Sequence, residues 1–262
     1  MTVSFITKIF IFIIGTVIGS FLNVLIDRLP QDKSINGRSC CDHCKNKIAW
    51  FDLFPVISFF ILQGKSRCCH KKLSIQYPLI EMITGLVFVL IWTFSFSPTI
   101  LSTVVGKIII LGITSCLMVI FVSDLKYHLI SDYILLALFV FSIIYHLSSV
   151  VSISLFLYFF TSLFIVAFPI WIIYFLSKER AMGLGDVYLA AIMGFLLGWK
   201  AGLIALYIAF VTGAIFGLFL ILLKGKKFKS KIAFGPFLVI GTVGMLFWGK
   251  DFLEIIQRLY GL

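Results

Sequence analysis

An all-α, polytopic membrane protein is the fold class this sequence predicts, and three observations carry the prediction. The chain is 61% hydrophobic and only 13% charged, with 29 phenylalanines among 262 residues, a balance that excludes a soluble globule of this size. Its apolar stretches reach the roughly 17–25 residues that a helix needs to cross a bilayer. Its lysines and arginines gather between those stretches instead of spreading along the chain.

Taken in order, the apolar runs mark about eight transmembrane helices, over residues 4–26, 79–97, 103–123, 132–149, 152–176, 186–199, 201–223 and 234–249. The sixth is short, and the last two lie close together. The first does not read as a cleavable signal peptide. Only Lys8 supplies charge before its long apolar run, which passes Gly15 and Gly19 without a small-residue cleavage site. Three regions follow: residues 1–26 as the first transmembrane helix, 27–78 as a polar loop, and 79–262 as the remaining membrane domain.

Charge sets the orientation. Basic residues crowd three places: Arg28 to Lys72, Lys178 with Arg180, and Lys224, Lys226, Lys227, Lys229 and Lys231. With the N-terminus outside, eight spans put these and the Asp124–Asp132 turn in the cytoplasm. That arrangement places 17 of the 22 lysines and arginines inside, as the positive-inside rule expects. The net charge of +11 then reflects topology and contact with anionic membrane lipid. No basic patch is interleaved with base-stacking aromatics, so nucleic acid is not an expected partner.

The polar loop carries five of the six cysteines: Cys40, Cys41, Cys44, Cys68 and Cys69. In a reducing compartment such thiols favour a metal over disulfides. Cys41-x-x-Cys44 has zinc-knuckle spacing, and Cys68 with Cys69 complete a candidate set of four ligands. Adjacent Cys68 and Cys69 share one ion only with local distortion, so Cys40, His43 and His70 are alternatives for the fourth position. Between the halves lies Trp50–Leu62, apolar enough to rest in the membrane interface. Cys116, alone in a span, reads as packing.

Two carboxylates carry the chemistry. Asp124 ends the run 108–122, and Asp186 closes Gly183-Leu184-Gly185-Asp186 before another apolar run. Ionisable groups at membrane depth are costly and mark function by default. Two that meet inside a bundle form a dyad that shares a proton and activates a water. The plainer alternative is that each caps a helix end at the headgroups. Paired glycines before Asp186 would let backbone and substrate approach its carboxylate closely.

These residues resemble the bacterial prepilin peptidases, also called type IV leader peptidases, which are GxGD-type membrane aspartic proteases. The resemblance covers nearly the whole chain. It rests on Gly19-Ser20-Phe21-Leu22-Asn23-Val24 through Arg28-Leu29-Pro30, on Gly37-Arg38-Ser39 followed by Cys41-x-x-Cys44, and on Leu62-x-Gly64 with Cys69. It continues through Tyr77-Pro78-Leu79-Ile80-Glu81, Asp124 to Asp132, Gly183-Leu184-Gly185-Asp186, and Phe234-Gly235-Pro236-Phe237. The resemblance implies Asp124 and Asp186 as catalytic residues and prepilin or pseudopilin precursors as substrates, cleaved at the cytoplasmic face of the bacterial inner (cytoplasmic) membrane. It also implies methylation of the new N-terminus with S-adenosylmethionine, a function associated with the loop, and a zinc ion there. The composition and compact loop look like the competence-type members of Gram-positive bacteria.

Three positions depart from the family pattern. Ser66 stands in place of the first cysteine of the second pair, Ser131 in place of a proline, and Tyr188 in place of a lysine. Ser131-Asp132 reads as a helix N-cap, which makes Asp132 structural. Glu81 is read either as an interfacial carboxylate or, by preference, as a residue that orients a basic part of the leader, and His128 as part of a turn. A second function class, an ion-coupled membrane transporter with paired intramembrane carboxylates, predicts repeated halves with broken helices. GxGD and the cysteine loop each occur once.

Overall fold

The computed structural model describes residues 4–41, 43–93, 103–149, 152–179, 182–224 and 233–260. Among them the chain is helical outside the polar loop, in which two isolated antiparallel bridges are the only β pairing. All eight predicted stretches are helical. Five of these helices are long and apolar enough to cross a membrane: Phe5–Gln31, Gln76–Thr93, Val104–Tyr127, Ile153–Ser177 and Trp199–Leu222. Three more are apolar but shorter: Asp132–Ser148, Leu184–Leu197 and Gly235–Gly249. Residues 94–97 of the predicted second span, Arg180, and four lysines of the third basic stretch (226, 227, 229 and 231) lie outside the described residues.

The chain divides into two compact units, with the boundary between Leu111 and Gly112. In the first, helix α1 (Phe5–Arg28) starts at Ser4, whose hydroxyl accepts the Thr7 N–H, and ends in a 3-10 turn containing Pro30. It packs along α3 (Gln76–Thr93). The contact is close because a Cβ on Gly15 would fall 2.7 Å from Gly85 Cα, and one on Gly19 2.8 Å from Glu81 Cα. Small residues let membrane helices approach this way, replacing a hydrophobic drive that lipid does not provide. Asn23 donates to the Tyr77 carbonyl at 3.1 Å, and the Tyr77 hydroxyl donates to Asp27 at 3.0 Å, so the polar ends of the two helices are tied together. Between them the loop holds a 3-10 turn (Trp50–Leu53) and the short helix α2 (Ile57–Ile61). The loop is thus slightly shorter than residues 27–78, because α1 runs to Arg28 and α3 starts at Gln76.

The second unit contains the end of α4 (Val104–Tyr127), then α5 (Asp132–Ser149), α6 (Ile153–Ser177), α7 (Leu184–Leu197), α8 (Trp199–Lys224) and α9 (Gly235–Tyr260). Helix α7 is its centre and packs on α5, α6, α8 and α9. Beyond Tyr188 it is apolar all round, as a helix enclosed by neighbours must be, and Val187, Leu189, Ala190, Met193 and Phe195 are buried. A Cβ on Gly194 would fall 2.5 Å from the Ser162 carbonyl, so α6 lies against α7 with no side chain between them. His146 of α5 is buried with its Nε2 2.9 Å from the Phe195 carbonyl and its ring stacked on Phe159, a structural role that the sequence did not announce.

Candidate functional site

Asp124 stands in the last turn of α4 and Asp186 in the first turn of α7, both in the second unit. They are 6% and 8% exposed, so neither is a headgroup-level side chain open to solvent. Each nevertheless sits on a helix N-terminus. Asp124 Oδ2 accepts the Gly235 N–H at 2.9 Å, and Gly235 is the first residue of α9. Asp186 Oδ2 accepts the Gly183 N–H at 3.1 Å, the residue immediately before α7. The first amides of a helix have no partner within it and carry partial positive charge, so they hold a carboxylate well. The capping alternative therefore describes the hydrogen bonds correctly but not the burial.

Ile130 brings the pieces together. A Cβ on Gly185 would fall 3.1 Å from Ile130 Cβ. One on Gly235 would fall 3.2 Å from Ile130 Cδ1 and 2.6 Å from Asp124 Oδ2. The turn after α4, the GxGD turn and the start of α9 thus converge on one side chain, which draws the segments carrying Asp124 and Asp186 together. The glycines of GxGD differ in what they do. Gly185 is needed for packing against Ile130, whereas a Cβ at Gly183 would meet nothing nearer than Asp186 Oδ2 at 3.8 Å.

The flanking polar residues take structural positions. Asp132 is exposed and opens α5, while the Ser131 carbonyl accepts the Ile134 and Leu135 N–H groups. His128 closes α4 in the left-handed region at φ 54°, its N–H bonded to the Asp124 carbonyl at 2.9 Å. In the first unit, Glu81 is not turned outward to meet a ligand. It is buried, and it accepts the Val56 N–H at 2.7 Å and the Ser20 hydroxyl. The expectation that it orients a basic leader residue does not fit this inward geometry.

The cysteine loop contains two similar turns, related by 25 positions. In one, Cys41 N–H bonds the Asn46 carbonyl and Ile48 N–H the Ser39 carbonyl around a Cys40–Lys47 bridge. In the other, Ser66 N–H bonds the Lys71 carbonyl and Leu73 N–H the Gly64 carbonyl around a Lys65–Lys72 bridge. Lys45 and His70 take the same left-handed place in each, at φ 59° and 53°. Ser66 therefore occupies the position matching Cys41, and Cys69 the position matching Cys44. Cys68 supplies the thiol that Ser66 lacks. The Sγ atoms of Cys41, Cys44, Cys68 and Cys69 all lie within 4.8 Å of one another, and this is the set the sequence suggested, with Cys40, His43 and His70 outside it.

Four thiols clustered this closely suit a tetrahedral ion, for which Zn–S bonds of about 2.3 Å imply S···S edges of about 3.8 Å. Cys41 and Cys69 match at 3.7 Å; Cys44 and Cys68, at 2.8 Å, would have to open by about 1 Å. The Cys44 N–H and the Ser66 hydroxyl lower the Cys41 thiol to about 6, near the thiolate that a metal needs. The hydrogen bond with Cys68 pushes Cys44 up to about 12, so binding an ion there would have to release a proton.

Comparison with known proteins covers both units. Residues 13–95 match the model of the bacterial peptidase A24 N-terminal domain, and residues 111–218 that of the type IV leader peptidase family. A prepilin leader peptidase/N-methyltransferase from Pectobacterium carotovorum subsp. carotovorum is 32% identical to the chain over 274 residues, covering 90% of this chain and 92% of that one. Its counterpart from Klebsiella pneumoniae is 34% identical over 204 residues, covering 73% and 86%. The Aeromonas hydrophila protein of the same description is 30% identical, covering 92% and 90%. No solved structure matches the chain.

Proposed function

The chain belongs to the type IV leader peptidase family, and on that premise we propose that it removes the short basic leader of pilin-like precursors at the cytoplasmic face of the inner membrane. The observation that carries the reading is that the turns bearing the buried Asp124 and Asp186 meet around Ile130 through Gly185 and Gly235, each carboxylate seated on a helix N-terminus. The ionised member of the pair takes a proton from a water whose oxygen attacks the scissile carbonyl carbon. The protonated member gives its proton toward the carbonyl oxygen, and a proton reaches the leaving nitrogen as the C–N bond breaks. The products are a leader with a new carboxylate and a mature chain with a new amine. The pair titrates as a unit, so the acid and base roles belong to the dyad rather than to fixed residues.

The transporter alternative has less to support it, since the similar proteins carry peptidase names and no pair of broken-helix halves is found among the described residues. Zinc, if bound by Cys41, Cys44, Cys68 and Cys69, would cross-link the ends of a loop too small to hold a core of its own. It would supply folding energy and no step of hydrolysis.

The relatives' names also carry N-methyltransferase, which makes S-adenosylmethionine the expected methyl donor for the new amine. The loop's cavity of about 290 Å³ is lined by Phe59, Phe60, Lys65 and Lys72 among others. Its charged groups are two ammoniums, which repel a sulfonium, so this cavity does not suit that donor. Co-expression with a pilin-like precursor, followed by mass spectrometry of the mature N-terminus, tests both activities. An uncut precursor beside a stably inserted enzyme would overturn the peptidase reading.

A further inference from the structure

The segment between the two cysteine turns is apolar, outward-facing and fastened to α3. Trp50, Phe54, Ile57, Phe60 and Ile61 are each more than half exposed. The segment is held at Val56, whose N–H donates to Glu81. Val56 lies at φ 61°, where a β-branched residue is a genuine outlier, so the surrounding contacts hold it there against its own preference. Glu81 is five residues into α3, about 7–8 Å along the axis at 1.5 Å per residue. Since α3 is long and apolar enough to cross a membrane, a segment fastened this far along it suits the ~5–10 Å depth to which interfacial helices sink.

Directly beside this segment are two cations with no counter-ion. The hydrogen bonds flanking the Lys65–Lys72 bridge, Ser66 to Lys71 and Leu73 to Gly64, make it a non-hydrogen-bonded antiparallel pair. In such a pair the two side chains leave the same face at their closest approach, and like charges there are destabilising. Among the described residues neither lysine has an acidic partner, while the nearby Asp52 is taken by Arg67 at 2.8 Å. Lys65 and Lys72 line the 290 Å³ cavity with Phe59, Phe60, Leu73 and Ile75. Ile75 is 71% exposed and is the last residue before α3.

We propose that the Lys65–Lys72 pair and the cavity beside it form a binding site for one anionic phospholipid of the surrounding leaflet. The headgroup phosphate lies between the two ammoniums, and the acyl chains run along Phe60 and the exposed faces of Ile57 and Ile61. The occupant follows from the chemistry: an anion at the head, hydrocarbon at the tail, and a location at the end of a membrane-crossing helix. The site stands independently of the peptidase reading.

The test reconstitutes the full chain in phosphatidylcholine nanodiscs containing a small fraction of photoactivatable phosphatidylglycerol, with labelled peptides mapped by mass spectrometry. Labelling is expected within residues 57–75, falling roughly tenfold or more in Lys65→Gln/Lys72→Gln, as two lysines near an anionic surface imply. Lys65→Arg/Lys72→Arg is expected to keep it. The wild-type chain with a photoactivatable phosphatidylcholine is expected to label this region weakly, a comparison that needs no variant to fold. Equal labelling by the two lipids, or labelling indifferent to the glutamine variant, overturns the proposal. Loss of labelling in excess inorganic phosphate overturns it as well, by assigning the lysines to a soluble anion.

Discussion

Gly235→Ala is the most discriminating perturbation of the candidate dyad, because it leaves both carboxylates in the chain. The added Cβ would stand 2.6 Å from Asp124 Oδ2, where ordinary contact starts near 3.4 Å, so carboxylate or helix must give by about 0.8 Å. The same movement stretches the 2.9 Å bond from the Gly235 N–H. Misplacing a reacting group by ~1 Å costs ~10²-fold in rate, and crowding of this kind costs about 1–3 kcal/mol in stability. Gly183→Ala is the control. Its Cβ would have 3.8 Å of clearance, and the backbone there, at φ −84°, suits alanine. Initial cleavage rates of a purified pilin-like substrate in detergent are expected to fall about 100-fold for Gly235→Ala and to stay within about threefold for Gly183→Ala. Near wild-type cleavage by Gly235→Ala would refute the reasoning. So would a Gly183→Ala enzyme as crippled as Gly235→Ala, since that would mean substrate approach, not the seat of Asp124, sets the demand for glycine.

Asp124→Asn and Asp186→Asn are each expected to abolish leader cleavage while membrane insertion, read by fractionation, stays normal; Asp132→Asn is expected to cleave normally and to lose at most ~1 kcal/mol of stability. Cys68→Ser is expected to lower the zinc content of the purified protein as far as Cys69→Ser does, and adding Ser66→Cys to Cys68→Ser is expected to restore it. A double variant left without metal would show that the two turns are not equivalent. Glu81→Ala removes the acceptor of the Val56 N–H, a hydrogen bond worth ~0.5–1.5 kcal/mol, and limited proteolysis is expected to open the chain between Trp50 and Ile61. Unchanged resistance there would mean that the segment is held by something else.

What the sequence made legible is what depends on local pattern. Apolar run lengths marked the helices, and membrane-depth carboxylates marked Asp124 and Asp186 before any geometry was known. Helix ends were harder, because Tyr77 and Asp27 hold α1 and α3 together beyond the last apolar residue. The partner of Asp124 was out of reach: Phe234-Gly235-Pro236-Phe237 stood out as a motif, but its amide meets the carboxylate across 111 positions. The inward bond of Glu81 was out of reach for the same reason, its partner Val56 being set by where the loop returns. Spacing suggested Cys41, Cys44, Cys68 and Cys69 but left Cys40, His43 and His70 open, because it does not reveal which side chains the two turns project into one cluster.

The long separation between Asp124 and Gly235 also has a meaning in time. Residues are made in order, so Asp124 and Asp186 both exist while the chain beyond them is still being synthesised. Until α9 begins, the amide that seats Asp124 has not been made, and the carboxylate lacks the contact that fixes its direction. A nascent chain therefore carries both acids without their alignment. With the two aspartates as the proposed pair, competence to cut would arrive with α9 and not with the aspartates themselves.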